Sequence, residues 1–217
     1  MANLLQRPPS VGRPDGALDS GAAIDLGYCV EWRPWLWTGA VRWALGDPGR
    51  FRNKRVLDLG SRFGKMSCYF GSLGAQVTGA DLFPSYAEAG RREALKWNLS
   101  RQVEFVTYSG NLRDLRGPYD FVFTKSVLVV LGDQAAGIGG LLAETGEYIA
   151  VENMEGGWAV AGARRIIHRH WEGHRTYFKP LNRARISELA SRFRSAESKE
   201  FLGLVVAIRA RYPRPIS

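Results

Sequence analysis

From Arg55 onward the chain alternates between two hydrophobic rhythms. Short apolar runs end at Gly, Asp or Pro, and between them apolar positions recur at three- and four-residue spacing. The runs predict strands over 55–59, 76–80, 103–107, 119–124 and 147–151. Helices are predicted over 65–73, with Met66, Tyr69, Phe70 and Leu73 on one side, and over 84–97, with Tyr86, Ala89, Ala94 and Trp97 roughly aligned. A further helical stretch closes over 139–145. Asn182 is the predicted cap of a helix carrying Ile186, Leu189, Ala190 and Phe193. A strongly apolar strand over 201–210 ends the pattern. Strands alternating with helices at this spacing predict an α/β fold, a mostly parallel sheet covered on both faces.

The ends of the pattern differ in character. Residues 1–21 are rich in Pro and Gly and lack periodicity, which predicts a mobile arm that orders on ligand binding. Residues 22–50 form an aromatic segment containing Tyr28, Trp32, Trp35, Trp37 and Trp43. Pro34 suits the first turn of a helix, Leu36, Ala40, Trp43 and Ala44 share a face, and the run from Gly46 to Gly49 stops it. This segment reads as an amphipathic helix packed on the domain or as an aromatic lid over a substrate pocket, two compatible readings. Residues 51–217 read as one domain interrupted at 153–180 by a polar, aromatic and basic insertion that holds all three histidines. Insertions at strand ends of open α/β sheets commonly carry the substrate site.

Composition narrows the function classes. The 217 residues are 45% hydrophobic, enough for one domain with a sizeable core and too apolar for wholesale disorder. No apolar run reaches membrane-spanning length, so no span is expected. Cys29 and Cys68 are too few for a disulfide framework or a cysteine metal cluster, and no signal-type apolar core opens the chain. A cytoplasmic protein, monomeric or homodimeric, is the expectation. The formal charge of +9 favours acidic partners, namely nucleic acid, phosphate or an anionic cofactor, or else marks a solvated basic surface.

The sharpest local signal runs from Val56 to Lys65, where a strand enters a tight turn and then a helix. Gly60 would relieve the turn and Gly64 would let the helix approach a ligand. The spacing is G-x-x-x-G with Asp58 ahead of it, unlike the dinucleotide fingerprint. A carboxylate at Asp58 gains nothing from pyrophosphate but suits the ammonium of an amino-acid moiety. Asp81, 23 residues later and just past the second strand, can accept ribose hydroxyls. Asn111, past the third strand, can bond an adenine edge while Leu82 and Phe83 pack on the ring. A nucleoside joined to an amino acid without phosphate describes S-adenosylmethionine.

At these residues the chain resembles the class I S-adenosylmethionine-dependent methyltransferases. Asp58, Gly60 and Gly64 match their glycine-rich first motif, and Asp81 matches their ribose-binding acid. The segments from Tyr119 to Phe123 and from Leu141 to Ile149 resemble the fourth and fifth motifs. The resemblance covers roughly residues 55–211. It implies a single-domain Rossmann-like fold with a seven-stranded sheet flanked by helices and an N-terminal aromatic helical arm. It also implies S-adenosylmethionine as cofactor, with Asp58, Gly60, Arg62, Gly64, Asp81, Leu82 and Asn111 around it. The family usually has glycine where this chain has Arg62, which bonds the methionine carboxylate, points to solvent, or weakens cofactor binding.

Methyl transfer from a sulfonium needs an aligned nucleophile and, for a hydroxyl, a base. The candidates are His168 and His170, which would share a face of a strand, and Glu152 just past the fifth strand. His174 and Glu155 are further candidates. No metal is expected, because no cysteine or carboxylate spacing supports one. Lys125 and Ser126 follow the fourth strand on the acceptor side, without the Asn-Pro-Pro-Tyr pattern of exocyclic-amine methylation. The leading expectation is methyl transfer to oxygen or nitrogen of a small molecule, of the kind made in specialised metabolism. The alternatives are an RNA methyltransferase using Arg164, Arg165, Arg169, Arg175, Lys179, Arg183 and Arg185, a non-catalytic methyltransferase-like scaffold and, most weakly, a nicotinamide reductase.

Overall fold

The computed structural model describes residues 24–30, 33–115, 117–131, 145–155 and 180–213. Seven strands form one sheet: β1 (Arg55–Leu59), β2 (Gln76–Asp81), β3 (Val103–Thr107), β4 (Phe121–Lys125), β5 (Glu147–Asn153), β6 (Phe193–Phe201) and β7 (Val205–Pro213). Their order is β3-β2-β1-β4-β5-β7-β6. The first five strands run parallel. Strand β7 enters antiparallel to β5 and pairs antiparallel with β6. The chain reverses its strand order between β1 and β4, so a crevice is expected at their carboxyl ends.

Side-chain alternation sorts the sheet into two layers. Val56, Val77, Phe105, Phe123 and Val151 face a cluster built with the helices α1 (Leu26–Cys29), α2 (Pro34–Leu45), α3 (Lys65–Ser72) and α4 (Pro84–Lys96). Leu57, Ala80, Val122, Tyr148 and Val206 face a second cluster under α5 (Leu128–Leu131) and α6 (Arg183–Ser191). Asp58, Asp81 and Lys125 fall on the first face by this period of two, and Glu152 falls on the second.

Phe105 sets how closely the first layer sits. A Cβ placed on Gly64, Gly79 or Gly90 would come within 2.5, 2.6 or 2.4 Å of its ring. The ring thus fills space that three side chains would otherwise take, and α3 and α4 settle onto β2 and β3. Packing inside the domain by itself requires glycine at Gly64, where Gly90 Cα also crowds an added Cβ at 2.8 Å.

Most predicted elements appear close to their expected bounds. Strand β4 starts two residues late, at Phe121, because Asp120 is spent on Arg55: its Oδ2 accepts from the Arg55 amide at 2.8 Å. The larger correction concerns the end of the chain. Phe193 opens β6 and is not on the helix face. The expected strand over 201–210 is the end of β6, a turn and β7. Leu202 and Gly203 turn the chain with φ of 50° and 62°. Strand β6 buries only Phe193 and exposes nearly everything else, so it has no alternating pattern. Its charged side chains suit an open sheet edge, where they discourage pairing with other chains.

Helix α2 packs against β5 and β7. Leu36, Ala40 and Ala44 are buried as the periodicity implies, joined by Trp37, Val41 and Leu45, whereas Trp43 is half-buried beneath the Arg209 guanidinium, 4.4 Å from its ring centre. The predicted helix over 139–145 falls outside the described residues except for Thr145.

Candidate functional site

The carboxyl ends of β1, β2 and β4 meet at the loop joining β1 to α3. The Gly60 and Ser61 amides both donate to the Ala80 carbonyl, at 2.8 and 3.1 Å, tying the loop to β2. Gly60 has φ of 77°, and a Cβ there would lie 2.5 Å from Val127 Cγ2. Both the turn and the close neighbour require glycine. Arg62 also adopts left-handed backbone, with φ of 46°. The departure from the family pattern therefore keeps a glycine-like conformation, at the energetic cost such residues carry. Its amide donates to Asp81 Oδ2 at 3.0 Å. Its guanidinium lies outside, 5.2 Å from the Phe63 ring centre and 5.9 Å from that of Tyr86.

Asp58 is buried at the end of β1. Ser67, on the first turn of α3, donates its hydroxyl to Asp58 Oδ2 at 2.6 Å. Burial pushes the Asp58 carboxyl up to about 6, against the pull of the Ser67 hydroxyl and the Lys125 charge, while Asp81 adds a smaller push upward. Asp81, also buried, accepts from two amides: Arg62 on Oδ2 and Phe83 on Oδ1, the latter at 3.2 Å. Leu82 and Phe83 beside it are exposed large apolar side chains. Leu82 reaches the β3 loop, 3.6 Å from where a Gly110 Cβ would be. Asn111 is exposed in that loop, and its Oδ1 accepts from the Arg113 amide at 3.1 Å, a local turn bond.

Glu152, expected as a base near the acceptor, is fully enclosed on the opposite face of the sheet from Asp58. Its Oε1 accepts from the Val127 and Leu128 amides at 3.1 and 3.2 Å, while Oε2 has no partner among the described residues. Burial raises it to about 7 despite those amides. Ser126, in the same turn, has φ of 60° and its hydroxyl accepts from Asn153 Nδ2 at 3.2 Å. Glu152 thus holds the turn that places Val127 over Gly60. His168, His170 and His174 lie outside the described residues, as do Arg164, Arg165, Arg169, Arg175 and Lys179. Arg183 is spent on Glu200, with two hydrogen bonds of 2.9 and 3.0 Å.

Three features of the site escape sequence reasoning: the Ser67 bond to Asp58, the orphaned Ser61 hydroxyl, and the contact that Lys125, placed by the sequence only on the acceptor side, makes with Trp37. Ser67 carries no signature inside a helix, although the first turn after a glycine loop must pass over the end of the preceding strand. Ser61 Oγ is buried in the loop with no partner among the described residues, an exception to the rule that buried polar atoms are hydrogen-bonded. Lys125 extends from the end of β4, its ammonium 5.7 Å from the ring centre of Trp37 on α2; 88 residues separate the two in the chain.

Comparison with known proteins agrees with this architecture. No family model matches the chain. A ubiquinone biosynthesis O-methyltransferase from Bordetella parapertussis is 27% identical over 164 residues, 71% of this chain and 66% of that protein's length. The chain thus spans just under two thirds of that curated relative. Magnesium protoporphyrin IX methyltransferase from Synechocystis PCC 6803, solved with SAH bound, superposes with a TM-score of 0.65 at 19% identity, covering 86% of this chain and 84% of that one. An O-methyltransferase family protein from Burkholderia thailandensis gives 0.64 at 15% identity, covering 86% and 59%. The chain has the class I S-adenosylmethionine-dependent methyltransferase fold.

Proposed function

We propose that this protein transfers a methyl group from S-adenosylmethionine to an oxygen of a small-molecule acceptor. The observation that carries the reading is the pair of buried carboxylates, Asp58 and Asp81, on one face at the ends of adjacent strands around the Gly60 loop. The residues suit the cofactor. A buried carboxylate that burial drives toward its neutral form gains most from a cation beside it, and the orphaned Ser61 hydroxyl faces the same need for a partner. The bound cofactor supplies an electrophilic methyl on a sulfonium.

The roles of the chain's own residues follow from their positions. Asp58, held in one rotamer by Ser67, takes the ammonium. Asp81 keeps acceptor capacity on each oxygen beyond its two amide bonds and takes the ribose hydroxyls. Leu82 packs on the adenine, with Asn111 at its edge. Glu152 positions the Val127 turn, and His168 or His170 serves as base for a hydroxyl acceptor. The oxygen-acceptor reading takes support from the 27% identical relative, named as an O-methyltransferase.

Calorimetric titration with S-adenosylhomocysteine tests the reading. Wild type binds, and Asp58→Asn and Asp81→Asn each lose about tenfold or more, as expected for hydrogen bonds to a charged group. No binding by a folded wild type would overturn it.

A further inference from the structure

Asp58 is not the only charge at the amino-acid end of the cradle. Lys125 ends β4, the strand paired with β1, where Asp58 stands opposite Phe123. Lys125 is two residues beyond Phe123 and so projects to the same face as Asp58. Strand spacing and rise place the two Cα atoms about 8 Å apart. The lysine charge is felt at Asp58, where it favours the ionised carboxylate. Trp37, buried on α2, faces the ammonium across 5.7 Å, a cation–π contact that limits where the flexible stem can go. One negative and one positive side chain thus flank the opening beside Gly60, on neighbouring strands.

A single charge at this edge would select a simple ion. A fixed pair of opposite charges selects a ligand whose own charges are paired in the reverse order. An α-amino acid group is such a ligand, with an ammonium and a carboxylate on one carbon. We propose that Lys125, steered by Trp37, binds the α-carboxylate of S-adenosylmethionine while Asp58 binds its ammonium, so that the two residues act as a clamp for a zwitterion. This rests on the methyltransferase reading above and assigns a cofactor-binding role to a residue that none of the motifs contains. The Arg62 guanidinium lies over Phe63 and Tyr86 instead.

The test uses three ligands that share the adenosine group and differ in what the sulfur carries. S-adenosylmethionine carries both charges at the amino-acid end, its decarboxylated analogue carries the ammonium alone, and 5′-methylthioadenosine carries neither. The first two are sulfonium cations that differ only in the carboxylate, and the third is a neutral thioether. Binding to the full-length protein is measured by calorimetry. Lys125→Met should weaken S-adenosylmethionine about ten- to a hundredfold, the range for a charge-assisted contact, and leave the other two within about twofold. Lys125→Arg should restore most of the loss. Asp58→Asn should weaken both ammonium-bearing ligands and spare 5′-methylthioadenosine. Equal affinity of Lys125→Met and wild type for S-adenosylmethionine would overturn the clamp. So would an equal loss for all three ligands, which marks a structural role. A wild type that binds none of the three sinks the methyltransferase reading itself, and the clamp with it.

Discussion

Asp58 ties the chemistry of one side chain to a measurable pH dependence. Its carboxyl is raised by burial to about 6, above its ordinary value, so protons compete with a bound cation near neutrality. Cation binding selects the ionised form. Affinity for S-adenosylhomocysteine should therefore be level above pH 6 and fall toward tenfold per unit below it. Ser67→Ala removes a bond that favours the ionised carboxylate, so the fall should begin at higher pH; a titration series at several pH values checks both. Arg62 gives a second expectation at this scale. Its left-handed backbone tolerates glycine, whereas a β-branched side chain fits that region poorly. Arg62→Val should lose about 1–3 kcal/mol in denaturant unfolding, and Arg62→Gly should not.

At the scale of elements, the Phe105 ring dictates the spacing of α3 and α4 over the sheet. Gly90→Ala puts a methyl 2.4 Å from that ring and should cost about 1–3 kcal/mol, seen as a lowered Tm. The elements readable in advance share one property: each buries a face or is bounded by a turn residue. Strands β1 and β2 have apolar runs closed by Gly60 and Asp81, and α4 opens at Pro84. Strand β6 was not readable, because an edge strand exposed on both faces has nothing to alternate. Within the site, Asp58, Gly60 and Asp81 could be recognised from local spacing. Ser67 and the Lys125–Trp37 contact could not, since they arise only when α3 and α2 are laid on the sheet. Glu152 was recognised as notable, but its face depends on the register of β5, which a one-residue difference reverses.

At the scale of the molecule, the two ends of the sheet divide their work. The amino ends of the strands carry a charge cluster in which buried Glu147 pairs with Arg50 and, at 2.7 Å, with Arg211. It fastens the turn before β1 and the end of β7 to β5. Glu147→Ala leaves two arginines without their shared partner and should lower unfolding free energy by about 2 kcal/mol, while cofactor affinity stays unchanged; parallel unfolding and binding measurements check the separation. The carboxyl ends carry the cradle, where Asp81 already clasps the Arg62 and Phe83 amides. A receptor whose arch is fastened before its guest arrives has little left to freeze on contact. Under the proposed function its selectivity then falls on the guest's own hydroxyls, and a sugar stripped of them would meet a carboxylate that it dries without replacing the lost water.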